Sequence, residues 1–386
     1  MQSRLASLLV AVCVGVTAVA AALAILGPGP ALALAIVSGL ALAGWLWTKA
    51  DPAPDGLLSP YLAVAPLVLV LESLRFTGDW VPLLAEQAEA GFRSGLVLAD
   101  RLWFLAWVCA PVSLVALGGF ALARRHPLGG LMAWWAALWA IAEALPQPLL
   151  GGVDGWSTAD LAGLVPAAAL AAVGVVLLQR LLAPKARALP AAVPASRHRR
   201  RLWALLFVAL VAVYAATLYA QAGFLVVGVI GGSMMGGMIG WWTTTSRLPA
   251  EPARVLPLML LMLGFFYIHV GEETLTGFHQ AIAALTGGVW PEEEFLLIIA
   301  LAGPAVWFFA AWSLWHRQAF GNFVLWFLVV GMILGEPAHV LIFPVVVMLK
   351  QGGGYAYFSG MYTALFAMIP AILILAELLR TRRRAA

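Results

Sequence analysis

Apolar residues run along this chain in blocks of about 20, matching the hydrocarbon thickness of a bilayer, and most polar residues fall in the gaps between them. The pattern predicts twelve membrane-spanning helices, at residues 5–26, 31–49, 57–74, 102–123, 128–149, 159–182, 202–222, 224–243, 255–275, 295–315, 320–349 and 355–379. Several contain Pro or Gly, which helices in lipid tolerate. The expected fold is an all-α polytopic membrane protein.

Charge orders the gaps. With the N-terminus in the cytoplasm, Lys49, Arg124, Arg125, the arginines of 187–201, Arg247, Arg254, Arg317 and the 380–384 tail all fall inside. Asp79, Glu86 and Glu89, the loop at 151–160, Glu292 to Glu294 and Gly352 to Gly354 fall outside. Agreement with the positive-inside rule in loop after loop supports the span count and puts both termini in the cytoplasm of a bacterial-type inner membrane. The first block has the outline of a signal peptide, but its later counterpart argues for a span. R-L-A-S-L-L from Arg4 aligns with R-L-W-A-L-L from Arg201, and G-W-L-W-T from Gly44 with G-W-W-T-T from Gly240. Pro111 and Glu143 align with Pro304 and Glu336. The reading is a tandem duplication, with residues 1–183 and 201–386 as two parallel six-helix repeats joined by a cytoplasmic Pro/Ala/Arg linker at 184–200.

Composition narrows the function classes. Charged residues are 10% and hydrophobic ones 63% of the chain, which excludes a soluble globular domain. The net charge of +4 comes from loop arginines, so it reports orientation and contact with membrane lipids, not nucleic-acid binding. Cys13 and Cys109, both inside apolar blocks, indicate neither a disulfide framework nor a thiolate metal site.

Two groups of ionisable residues break the apolar pattern. In I-H-V-G-E-E-T, Glu272 falls roughly 60° to one side of His269 and Glu273 roughly 40° to the other, so all three share a helix face. In G-E-P-A-H, Glu336 and His339 share a face at i, i+3. Both groups sit in the outer part of their spans, and such residues in lipid normally face a partner, a cavity or a substrate. His and Glu pairs on facing helices are how helix bundles build metal sites, including dinuclear ones. The candidate ligands are His269, Glu272, Glu273, Glu336 and His339, with Glu273 also a candidate general base. His279, Glu143 and Tyr357 are secondary candidates, Glu143 being readable as an interhelical hydrogen bond. Iron, zinc or manganese suits the donors; copper is a lesser alternative, through Met234, Met235 and Met238. The glycines at 231–240 are otherwise read as a close helix contact. Glu292 to Glu294 read as a solvated loop or cap. The first repeat has Glu72 but no histidine, and Pro146 where His339 would stand, so it reads as a degenerate unit supporting one live site.

H-V-G-E-E at 269–273 resembles the signature of the HXXEE family of bacterial membrane proteins, and Y-F-S-G-M-Y-T-A-L-F-A-M-I-P in the last span resembles that family's later pattern. The similarity covers roughly residues 255–380 and departs at Glu336. It implies a metal-binding or catalytic role for His269, Glu272, Glu273 and His339, without a substrate. The leading expectation is a membrane metalloenzyme, oxidoreductase or hydrolase, acting on an apolar or lipid-like molecule. A proton-coupled transporter and a non-catalytic subunit of a membrane complex are the alternatives.

Overall fold

The structure, a computed structural model, describes residues 2–48, 54–80, 98–146, 158–183 and 192–385. Lys49, Glu86, Glu89, most of the outer loop at 151–160 and the linker as far as residue 191 lie outside them. The described residues form helices and connections, with no strand among them. Among the described residues, eight helices are long and apolar enough to cross a membrane: Pro28–Thr48, Asp55–Gly78, Asp100–Ala123, Leu161–Leu182, Arg197–Tyr219, Pro252–Thr276, Glu292–Trp315 and Ala319–Gln351. Two compact units emerge, Met1–Leu189 with Leu296–Phe309, and Pro190–Phe295 with Ala310–Ala386.

In the first unit, α1 (Gln2–Leu26) and α2 (Pro28–Thr48) pack on each other, joined at Gly27, whose φ of 81° suits only glycine comfortably. Pro28 then opens α2, where its missing N–H breaks no helical bond. The helices α3 (Pro54–Arg75), α4 (Leu98–Phe104), α5 (Ala110–Ala123), α6 (Pro127–Ala144) and α7 (Thr158–Leu182) complete the set, with α3 and α6 packed on α7. Between α4 and α5 the helix widens into a π-helical stretch, Leu105–Cys109. Pro111 follows directly, and its nitrogen cannot donate the usual bond back into that turn. A second π-helical stretch, Leu296–Ala302, packs on α3, which is why residues 296–309 group with this unit.

Buried charge ties α3 to α6. Arg75 Nη1 lies 2.5 Å from Glu72 Oε1 and also bonds Glu143 Oε1, while Nη2 donates to the Glu143 carbonyl at 3.0 Å. Both carboxylates are buried. Glu143 is therefore the interhelical partner that the sequence allowed, satisfied by a cation.

In the second unit, Ser196 caps α8 (Arg197–Thr243) by accepting from Arg199 N at 3.3 Å. The cap carries the basic run into the helix, so the linker ends before Arg197 and not at residue 200. Although helical throughout, α8 is not a rod. In a straight helix residues 207 and 241 would stand roughly 50 Å apart. Instead the Phe207 and Trp241 rings lie 4.9 Å apart, and Arg200 Nη2 donates to Trp242 O. The chain doubles back between Ala215 and Gly231, giving two antiparallel arms where the sequence predicts spans 202–222 and 224–243.

The returning arm packs on α11 (Ala319–Leu334) through its glycines. A Cβ on Gly237 would lie 2.6 Å from the Phe327 backbone, and one on Gly240 would enter the Trp326 ring. Met234 is buried there but Met235 is exposed, so these neighbouring thioethers face different surroundings. Also in this unit are α9 (Pro252–Thr276), α10 (Phe278–Thr286), α12 (Ala338–Leu341), α13 (Phe343–Gln351) and α14 (Ala364–Ala385), with α14 packed on α9 and α11. The last helix starts nine residues later than the predicted 355, because Gly352, Gly353 and Gly360 take positive φ and hold 352–363 as a loop.

Replacing Arg75 by Met would leave two carboxylates buried without their cation. The expected cost is about 3–5 kcal/mol of stability, read from reversible denaturant unfolding in micelles. Replacing Thr77, which bonds only its own helix backbone among the described residues, should leave the midpoint within about 0.5 kcal/mol.

Candidate metal centre

Two helix endings and one loop build the site. α9 stops at Gly277, which adopts the left-handed conformation (φ 71°) and returns its N–H to the Glu273 carbonyl. His269 and Glu273, one turn apart, both face inward and are buried. α11 ends at Leu334, and the turn through Gly335, Glu336 and Pro337 precedes α12, which carries His339. Pro337 has no N–H to continue the helix. Irregular backbone at membrane depth is tolerated where protein buries it or it lines a cavity. Here the break presents Glu336 and His339 together, both buried.

The four side chains converge. His269 Nε2 and His339 Nε2 each lie 3.5 Å from Glu273 Oε1, and Glu336 Oε2 lies 3.0 Å from His269 Nε2. The imidazoles meet edge to face at 4.8 Å. His339 Nδ1 lies 2.8 Å from the Ser359 carbonyl. A carbonyl can only accept, so Nδ1 carries the proton and Nε2 offers its lone pair to the cluster. Glu336 Oε2 is buried, with no hydrogen-bond partner among the described residues.

That donor set fits a metal ion. Ligand atoms from His269, Glu273 and His339 lie within 4.8 Å of one another. In a tetrahedral site with bonds of about 2.1 Å, neighbouring ligand atoms stand about 3.4 Å apart. The two 3.5 Å separations match that spacing. Among the described residues, Glu273 and Glu336 come within 4.0 Å of these imidazole nitrogens and of no Lys or Arg nitrogen. Phe278 stacks on His339 at 4.8 Å, and Phe343 lies edge-on at 5.2 Å, keeping that flank apolar.

The loop 352–363 closes the other side. Gly360 (φ 83°) approaches so near that a Cβ there would lie 2.6 Å from His339 Nδ1 and 2.8 Å from His269 Cε1. Ser359, Gly360 and Thr363 thus belong to the site; they lie in the Y-F-S-G-M-Y-T stretch, but none of them was among the candidate site residues. The signal available in the sequence was Gly360 itself, a glycine between aromatic residues.

Other candidates lie elsewhere. Glu272, predicted as a ligand, points away: Oε1 accepts from Tyr357 Oη at 2.7 Å and Tyr362 N at 3.1 Å, and Oε2 from Thr363 N at 2.9 Å and Thr363 Oγ1 at 2.6 Å. Sharing a helix face with His269 did not bring it into the cluster, because the loop supplies four donors on its flank. Tyr357 is one of those donors. His279 sits on α10, past the Gly277 break, with Nε2 3.7 Å from Glu292 Oε2. Glu292 is buried against it and not solvated, which corrects the loop reading of that residue. Glu143 stays with Arg75 in the first unit. The residues brought together suit one ion rather than two.

A Gly360→Ala substitution should therefore disturb both imidazoles at once. The expected result is at least a tenfold loss of Co²⁺ affinity by titration, with a smaller change in melting temperature than Arg75→Met produces. Comparison with family models, curated proteins and solved structures found no match to this chain, so its function is argued from these residues.

Proposed function

We propose that the chain is an integral membrane metalloenzyme acting on an apolar or lipid-like substrate. The observation that carries this reading is the convergence of His269, Glu273, Glu336 and His339 with lone pairs and charges facing inward and, among the described residues, no Lys or Arg to meet them. Ionisable groups at membrane depth cost too much to persist as packing alone. His269, Glu273 and His339 would hold the ion. A bound iron, zinc or manganese ion would supply Lewis acidity, activating water or oxygen. Glu273 lies between both imidazoles, which suits a ligand. Glu336, with one oxygen lacking a hydrogen-bond partner among the described residues, is better placed than Glu273 to accept a proton from a reacting group. The rings of Phe278, Phe343 and Phe358 around His339 favour an apolar reactant.

The finer architecture belongs to the same proposal: twelve spans in two parallel six-helix repeats, both termini cytoplasmic, the site toward the outer face of a bacterial inner membrane, and kinship with the HXXEE family through residues 269–273. Paired features support the repeat. Gly44 gives way to the Trp134 ring as Gly240 does to Trp326. Arg125 and Arg317 both have φ of 57° and pair with Asp55 and Glu251 respectively. A π-helical stretch lies just before each of Pro111 and Pro304.

One observation favours a second reading, a proton-coupled carrier. Glu72, Arg75 and Glu143 place buried ionisable groups in the first unit as well, where such a carrier would use them.

Elemental analysis of detergent-purified protein separates the two. One equivalent of iron, zinc or manganese is expected, lost in His339→Ala and Glu273→Gln and retained in His279→Ala, with all variants melting cooperatively. Absence of stoichiometric metal after reconstitution with each ion, together with proton uptake coupled to a solute in vesicles, would replace the enzyme with the carrier.

A further inference from the structure

We infer that Glu272 and Thr363 are positioning residues for the proposed metal site: a hydrogen-bond relay from Glu272 through Thr363 to His269 selects the imidazole tautomer that turns the Nε2 lone pair toward Glu273 and Glu336. The inference rests on the metal reading for its purpose, but the relay follows from proton bookkeeping alone.

The Thr363 hydroxyl has one proton and two neighbours that could receive it. Glu272 Oε2 is 2.6 Å away and His269 Nδ1 is 3.1 Å away. Glu272 already accepts from Thr363 N, Tyr362 N and Tyr357 Oη, so both oxygens of its carboxylate face N–H and O–H donors. A carboxylate has no proton to give, so the hydroxyl donates to it and presents only lone pairs to His269. The 3.1 Å contact then requires the proton on His269 Nδ1. In a neutral imidazole this leaves Nε2 as the acceptor, facing the cluster.

His339 reaches the same tautomer through the Ser359 carbonyl. The two acceptors that set the two histidines are supplied by one loop, four residues apart, with Gly360 between them wedged against both rings. Glu272 anchors that loop by its backbone at Tyr362 and Thr363, and Thr276 adds a hydroxyl contact to Ser359 at 2.5 Å. The adjacent glutamates of H-V-G-E-E thus divide the work: Glu273 faces the ion site and Glu272 orients a ligand from outside it. Without the relay, His269 would gain by moving its proton to Nε2, where Glu336 Oε2 waits at 3.0 Å, and that proton would occupy the lone pair the metal needs.

The test uses full-length native protein, Thr363→Val, Thr363→Ser and Glu272→Gln. Two readouts are taken: Co²⁺ titration followed by its d–d absorption, and ¹⁵N shifts of labelled histidines in the metal-free protein. Expected are matching affinity and spectrum in native protein and Thr363→Ser, and about a 10- to 100-fold loss in Thr363→Val. The His269 resonance should move from the Nδ1–H to the Nε2–H pattern in Thr363→Val. Unchanged affinity and tautomer in Thr363→Val would overturn the relay. If Thr363→Val does not melt cooperatively, Glu272→Gln decides in its place, the same shift supporting the relay and its absence refuting it. Failure of native protein to bind Co²⁺ would instead sink the metal reading, while the ¹⁵N shifts still decide the relay.

Discussion

Four acceptor groups meet in apolar surroundings, and that imbalance governs the rest of the second unit. Two imidazole lone pairs and two carboxylates repel one another unless a cation joins them. A buried carboxylate without a partner costs several kcal/mol. The surrounding structure is arranged to hold the groups in place despite that cost. Gly277 ends α9 one turn after Glu273, the Gly335 to Pro337 turn interrupts the next contributor, and the loop at 352–363 fixes both rings from above. The first unit meets a related problem differently. Glu72 and Glu143 are brought together by α3 and α6, and Arg75 supplies the positive charge from within the chain.

Much of this was legible from spacing. Apolar blocks of bilayer length announced the helices, and His269 with Glu273 and Glu336 with His339 stood out because charge inside such blocks is rare. Periodicity could not separate Glu272 from Glu273. Both lie within about 60° of His269 around the helix, and what divides them is a set of donors from Tyr357 to Thr363, some 90 positions later in the chain. The loop itself was hidden, since Tyr355 to Met361 reads as the start of an apolar helix and only the positive φ values of Gly352, Gly353 and Gly360 reveal otherwise. Arg75 was overlooked for a similar reason: its partner Glu143 is 68 positions away.

Local chemistry also corrected local expectation. The run from Arg197 to Thr243 keeps a helical backbone throughout, and the rings of Phe207 and Trp241 meet because the chain turns back between the two predicted spans. On an unbroken helix His279, seven residues after Glu272, would have stood on nearly the same face as Glu272. The left-handed Gly277 redirected it to Glu292 and gave that glutamate a buried partner.

The position of the loop in the chain has a consequence for synthesis. His269 emerges from the ribosome some 90 residues before Ser359 and Thr363, and until those residues follow, neither imidazole has the acceptor that orients it. The centre cannot mature span by span as the chain enters the bilayer. It is completed only when the last helix docks on α9 and α11, so the four side chains reach their final arrangement as the last element of the fold and not before.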